Sequence, residues 1–340
     1  MKKVLFATSA LVATAGVAQA DITLSGSAEM GVVNGDNIDA QFHTDIDVTF
    51  SMSGTTDGGL TFGASIDLDE EGGFAADNGG PESVFISGGF GTLTMGDTDG
   101  AFDQALVEVG MGGSIADDHT GHGGYSGNGG LGVQGVLDAI NGNLPDAGAG
   151  WDGLYDGQIM RYDYVSGPLM LTASLEVADD RDATIAGVDA GTLYGFGARY
   201  TIDGLTLGFG YQAASGTVIA TGADVSVSAV GLSAGYTVDN VEVRANVSQS
   251  DIDTGVLEVT SDHVGLGVAY TMDALTVAAN WGQYTTGANG FADVEVSGYG
   301  LAVDYDLGGG AVVQFGYGFT DNPNGTPDAD TMSFGLAMSF

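Results

Sequence analysis

The chain ends on "TMSFGLAMSF", residues 331–340, and the reading of this stretch decides the fold. Phe340, Met338, Leu336, Phe334 and Met332 are apolar, while Ser339, Ala337, Gly335, Ser333 and Thr331 between them are small or mildly polar. A strict period of two describes a β-strand with one apolar and one polar face. Domains commonly end in a few loosely held polar residues. Here the pattern runs to the last residue, so Phe340 is expected to belong to the sheet.

The same alternation recurs upstream. "ITLSGSAEMGVV" sets Ile22, Leu24, Met30 and Val32 against Thr23, Ser25 and Glu29. "FHTDIDVTFSMSG" sets Phe42, Ile46, Val48, Phe50 and Met52 against His43, Asp45, Asp47 and Ser51. From residue 158 onward a hairpin repeats: "YTIDGL" at 200–205, "YTVDNV" at 236–241 and "YTMDAL" at 270–275, with "YVSGPL" at 164–169 and "YDLGGGAV" at 305–312 in equivalent places. Each joins a strand end to a new strand through a tight turn of Asp, Asn, Gly or Pro. Longer polar connections separate the hairpins, so short turns gather at one end and long loops at the other.

Sixteen strands are predicted at about 22–33, 41–54, 59–69, 82–89, 91–97, 157–166, 168–178, 191–202, 204–213, 224–238, 240–250, 259–272, 274–284, 293–307, 310–319 and 331–340. An even number of antiparallel strands closes an up-and-down barrel with both termini at one end. The fold expected is an all-β, sixteen-stranded antiparallel transmembrane barrel.

The start of the chain supplies a compartment. Lys2 and Lys3 precede an apolar run from Val4 to about Val17 and then Ala18-Gln19-Ala20, the order of a secretory signal peptide. Residues 1–20 are expected to be removed by cleavage after Ala20, leaving 21–340 as one domain. That remainder holds no Lys, four arginines and 45 acidic residues, a formal charge of −41. Such a chain repels nucleic acid and attracts cations. With no cysteine, it holds together without disulfides.

Charge placement separates the two faces. Asp45, Asp47, Asp67, Arg161, Asp163, Glu176, Arg199, Glu242, Arg244 and Asp304 all share the polar parity of their strands, and Glu295, at a strand end, departs from it. A charge facing lipid near the bilayer midplane costs about 2–4 kcal/mol, so its absence from the apolar face is informative. Tyr164, Tyr200, Tyr236, Tyr270 and Tyr305 lie on the apolar parity just before short turns, where an interfacial girdle would sit. Tyr194, Phe209, Tyr211, Trp281, Tyr317 and Phe319 lie toward the long-loop end.

Signal peptide, alternating strands, tyrosine-marked turns and a terminal Phe together resemble the Gram-negative general (trimeric) porins, most of all the acidic porins of alphaproteobacteria. "GGFGTLTMGDTDGAF" at 88–102 and "MRYDYVSGPLMLTASLE" at 160–176 resemble the strands flanking that family's constriction loop. The resemblance implies a water-filled outer-membrane diffusion channel, a homotrimer in outer-membrane lipid. It also implies that Phe340, with Phe334, Leu336 and Met338, is the signal read by the barrel-assembly machinery.

Residues 98–156 match the family's inward-folded constriction loop. Pore candidates are Asp97, Asp99, Asp103, Glu108, Asp117 and Asp118, with Asp45, Asp47, Asp67, Arg161, Arg199 and Arg244 on the wall. In the family, acidic groups of this loop face a cluster of Arg and Lys. Here the facing strands offer His43, Asp45, Asp47 and Asp67 without a base, so a net negative lumen and cation selectivity are expected.

"DDHTGHGG" at 117–124 gathers Asp117, Asp118, His119 and His122, and reads as a solvated loop rather than a metal site. "DTDG" at 97–100 makes Asp97 and Asp99 candidates for Ca²⁺, although full EF-hand spacing is absent. No zinc-protease helix or P-loop occurs, so no enzyme is expected and no cofactor is required. The alternatives are a substrate-specific outer-membrane channel and a secreted acidic Ca²⁺-binding β-protein.

Overall fold

The computed structural model describes residues 21–35, 38–71, 75–76, 82–116, 122–125, 158–177, 184–185, 188–219, 222–322 and 327–340. Sixteen long antiparallel strands make the wall. The first half comprises β1 (Asp21–Gly35), β2 (Ile38–Thr55), β3 (Thr61–Glu71), β4 (Glu82–Gly88), β5 (Gly91–Gly96), β6 (Ile159–Ser166), β7 (Leu169–Glu176) and β8 (Leu193–Ile202). The second half comprises β9 (Leu205–Val218), β10 (Asp224–Val238), β11 (Val241–Asp253), β12 (Glu258–Met272), β13 (Leu275–Ala288), β14 (Val294–Gly308), β15 (Ala311–Asp321) and β16 (Ala329–Ser339).

Each strand pairs with its sequence neighbours, and β16 closes on β1 from Ser27↔Ser339 to Gly35↔Thr331. Closure leaves no unpaired sheet edge, which a structure spanning hydrocarbon requires. The final residue joins the ladder, the Phe340 amide donating to the Gly26 carbonyl at 2.9 Å.

The tight turns work because their residues accept a left-handed backbone. Asp203, Asp239 and Asp273 have φ of 46°, 50° and 52°, a region that Asp tolerates better than most side chains. The strands rise further at the long-loop end than alternation suggests: β9 reaches Val218 and β13 reaches Ala288. Backbone pairing can continue past the membrane without an apolar face, so periodicity misses this part. Short strands at Ala75–Ala76, Thr184–Ile185 and Val188–Ala190 extend the sheet in the same region.

The apolar face points outward. Leu232, Val247, Leu266, Val277, Leu301 and Phe334 are exposed, and Tyr164, Tyr200, Tyr236, Tyr270 and Tyr305 are exposed together at the short-turn end. Two expectations of sidedness need correction. Asp262 faces outward, opposite Gln249 on β11 and between inward His263 and Ser261, so outward acids are not confined to Glu295. Both lie toward the long loops, above the apolar band of Val264 to Tyr270. The inward face is not uniformly polar either. Leu193, Ala214, Val227, Ala229, Ile252 and Val259 form a buried cluster with Phe102 and Leu106. That core lies inside the barrel, where the loop after β5 covers the wall.

Candidate functional site

The loop after β5 turns inward at once. A short helix, α1 (Ala101–Ala105), packs on β7, β8 and β9 with Ala101, Phe102 and Ala105 buried. The chain then runs around the inside of the wall as an extended belt. Its side chains and backbone lie over inward glycines: a Cβ at Gly197 would stand 2.4 Å from the Ala101 carbonyl oxygen, at Gly208 2.5 Å from that of Ala105, and at Gly267 2.3 Å from that of Val109. Further on, Ser114 covers Gly316, and Ile115 reaches Gly335 and Gly31. Ordinary Cβ contacts begin near 3.4 Å, so only glycine lets the belt lie this close.

A belt inside a barrel has no strand to pair with, yet its amide groups must find partners. The wall provides them. Amides of Ala101, Val107, Gly113, Ala116 and Gly123 donate to Ser174 Oγ (2.8 Å), Ser233 Oγ (2.7 Å), Asp304 Oδ2 (2.8 Å), Glu29 Oε2 (2.8 Å) and Thr320 Oγ1 (2.8 Å). Carbonyls are taken by arginines. Arg161 donates to the Asp99 carbonyl (2.7 Å) and the Thr98 hydroxyl (3.0 Å). Arg199 donates to the carbonyls of Ala105 (3.2 Å) and Leu106, and Arg244 to those of Glu108 (3.3 Å) and Gly110 (3.1 Å).

A second contact is made by His122–Tyr125. His122 donates from Nε2 to Asn280 Oδ1 (2.7 Å) and accepts at Nδ1 from the Gly124 amide (3.1 Å), which fixes its neutral tautomer. His263 donates from Nε2 to the Gly124 carbonyl (3.1 Å) and stacks on Tyr284 with ring centroids 4.3 Å apart. Burial pushes the His122 imidazole below its ordinary value, against the opposing pull of Asn280. The Tyr125 hydroxyl is pushed up by burial, with Glu108 and Asp103 adding to it.

A closed sixteen-stranded barrel narrowed by a loop fastened to its inner wall is a pore architecture, and the Gram-negative porin family profile matches residues 7–325. The chain belongs to that family. The family and the barrel place this porin in the bacterial outer membrane, among channels rather than enzymes. A porin of Rhodobacter capsulatus is 34% identical over 198 residues, which span 56% of this chain and 56% of the relative. A solved porin structure, 25% identical, aligns with a TM-score of 0.67 over 94% of this chain and 100% of that one. The anion-selective porin from Comamonas acidovorans, 15% identical, reaches 0.70 over 95% and 100%, a likeness of fold alone.

The porin's wall acids separate from its belt. Asp45, Asp47 and Asp67 all face inward and are half-buried; Asp47 accepts from Ser27 Oγ (2.6 Å) and Asp67 from Thr49 Oγ1 (3.2 Å). They lie on β2 and β3, which the described part of the belt leaves clear. On the belt, Asp97, Asp99 and Glu108 are exposed and Asp103 is half-buried against the wall. Partial burial, then Glu82 and Asp99, hold the Asp97 carboxyl above the usual carboxylate range. Phe334, Leu336, Met338 and Phe340 all share the outward parity of β16.

Asp117, Asp118, His119, Ala20 and residues 1–20 lie outside the described residues, as do residues 126–157. Among the described residues, no group of three or more His, Cys, Asp or Glu side chains is placed to hold a metal ion. His122 is 8% exposed and hydrogen-bonded to the wall, not a solvated loop residue. Its buried site has no linear signal, because Asn280 and His263 come from strands distant in sequence. Ser174, Ser233 and Glu29 were likewise hidden as loop anchors. The glycine seats did leave a trace: Gly195, Gly197, Gly208, Gly210, Gly265 and Gly267 all share inward parity.

Proposed function

We propose that the protein is a water-filled diffusion channel for small hydrophilic solutes and ions, favouring cations. The observation that carries this reading is the belt fastened around the inside of a closed barrel, with Asp45, Asp47 and Asp67 inward on β2 and β3, which its described part leaves clear. Rings and walls of one charge select permeant ions by sign. The Comamonas porin, anion-selective by description, shares the fold, so charge and not architecture sets the sign.

Supporting details agree. The three inward arginines lie behind the belt and donate to it, and two of them are paired, Arg161 with Asp163 (3.0 Å) and Arg244 with Glu242 (2.7 Å). Little positive charge is left to balance the lumen. The chain is exported through residues 1–20, cut after Ala20, and assembled as a homotrimer; a trimer form is described for OmpT of Vibrio cholerae, a neighbour in fold. Asp97 and Asp99 take Ca²⁺ as a loosely held ion. The C-terminal strand ending in Phe340 carries the assembly signal.

The test is planar-bilayer conductance of the refolded chain under a KCl gradient. Ohmic steps grouped in threes with a cation-selective reversal potential support the reading. Small currents blocked by one solute would mean a specific channel, and an anion-selective reversal would overturn the selectivity.

A further inference from the structure

We propose that Arg161, Arg199 and Arg244 are positioning residues that hold the belt against the wall and so set the aperture, rather than the positive side of a field across the lumen. The inference rests on the channel reading above.

The first argument is where their donors go. Between them the three guanidinium groups donate to the main-chain carbonyls of Asp99, Ala105, Leu106, Glu108 and Gly110. All five acceptors belong to the belt, and they follow one another along it. A charge meant to face an acidic loop across water would stand on the far wall. These stand on β6, β8 and β11, at the start of the belt or directly beneath it.

The second argument is division of labour. The belt's amides go to hydroxyls and carboxylates of the wall, which are abundant. Its wall-facing carbonyls need donors, and a carboxylate-rich lumen has few. A guanidinium offers several N–H groups in a fixed fork, so one side chain reaches two carbonyls at once. Arg199 does this at Ala105 and Leu106, where α1 ends and its last carbonyls lack helical partners. Beyond the signal segment the chain has four arginines and no lysine, and three of the four make these contacts. The fourth, Arg181, lies outside the described residues.

The third argument is what the contacts oppose. The belt's exposed acids Asp99 and Glu108 share a lumen that already holds Asp45, Asp47 and Asp67, while Asp103 is half-buried against the wall. The like charges in the lumen repel the belt, and the glycine seats give it shape but no attraction to the wall. The arginines supply directional attraction at three points.

Lysine is the discriminating substitution, because it keeps the charge and loses the fork. Arg199→Lys and Arg244→Lys are compared with the parent in planar bilayers, with heat-modifiable migration as the check of folding. The expected result is loss of the single uniform conductance level, replaced by several levels and a noisier open state, with the reversal potential unmoved. A parent that never conducts defeats the channel reading and not this one. Lysine variants with the parent's conductance and noise would overturn the proposal and assign the arginines a purely electrostatic role.

A tether guards against misfolding. Ala101→Cys and Gly195→Cys place Cβ atoms about 3.4 Å apart, close to disulfide geometry, in a chain with no cysteine of its own; the new Cβ at 195 displaces Ser174 Oγ, 2.6 Å away, so the disulfide replaces the Ser174–Ala101 hydrogen bond. The pair is combined with Arg199→Lys and folded oxidised. A uniform level that breaks up on adding a thiol reductant supports the proposal; a level indifferent to reduction overturns it.

Discussion

The Phe340 amide donates to the Gly26 carbonyl at 2.9 Å, so the last residue of the chain is hydrogen-bonded to the first strand. The bond prolongs a seam in which β16 and β1 pair from Ser339 with Ser27 to Thr331 with Gly35. Removing residues 331–340 would leave β1 and β15 as open edges in hydrocarbon, which membranes do not tolerate. That deletion is expected to abolish the heat-modifiable compact form on detergent gels. Phe340→Ser, which keeps the backbone bond and loses the ring, is expected to slow assembly in cells while refolding in detergent stays intact.

Leu266 faces lipid in the middle of β12, with Gly265 and Gly267 facing inward on either side. Leu266→Arg is expected to destabilise the folded barrel by about 2–4 kcal/mol, read from denaturant-induced unfolding in lipid vesicles. Asp47→Asn, a lumen change, is expected to leave that midpoint close to the parent's.

The wall acids should carry selectivity together. Changing Asp45, Asp47 and Asp67 to Asn in one protein removes three carboxylates on strands that the described part of the belt leaves clear. The reversal potential in a salt gradient is expected to move toward zero, while conductance at high salt, where charges are screened, changes little.

The glycine seats are graded. A Cβ at Gly267 would sit 2.3 Å from the Val109 carbonyl oxygen, whereas one at Gly235 would meet nothing nearer than Val107 at 3.5 Å. Gly267→Ala is expected to push the belt into the lumen, lowering single-channel conductance and costing about 1–3 kcal/mol of stability as overpacking does. Gly235→Ala is expected to conduct like the parent.

His122 makes the second contact sensitive to acid. Its Nδ1 accepts from Gly124, and His263, Tyr125, Tyr284 and Asn280 surround the site, with Glu108 and Asp103 nearby. The seated imidazole titrates below 6.5, the value of a free one. Below that pH the unseated segment takes up a proton that the seated one refuses, so the seat weakens as pH falls and is at full strength above it. Open-channel noise is expected to grow as the bath is acidified from neutrality, and His122→Asn to lessen that dependence, with His263 still bonded to the same segment.

How much of this is legible in the sequence follows from which interactions are local. A strand's two faces are written at a period of two, so Met332 to Phe340 announce their geometry without knowledge of any partner. The turn aspartates 203, 239 and 273 announce the left-handed backbone in the same way. Strand number, sidedness, the tyrosine girdle and the inward placing of Asp45, Asp47 and Asp67 were therefore readable, and an inward loop was expected by resemblance. The tops of the strands were not, because pairing beyond the membrane needs no alternation.

What the belt touches was decided by tertiary structure alone. Arg199 is 94 residues from Ala105, and Arg244 is 134 from Gly110. In sequence both were simply lumen-facing charges. Only closure of the barrel brings each beneath a particular carbonyl, turning a charge into a fastening. His122 reads as a solvated loop residue until Asn280, 158 residues on, is folded next to it. The sequence by itself determined alternating strands with their acids gathered on one face, since alternation and charge parity depend on neighbours two residues away; the membrane barrel followed from the placing of the tyrosines and the family resemblance. The path of the belt, and with it the aperture, depends on contacts between residues far apart in the chain, which no local pattern encodes.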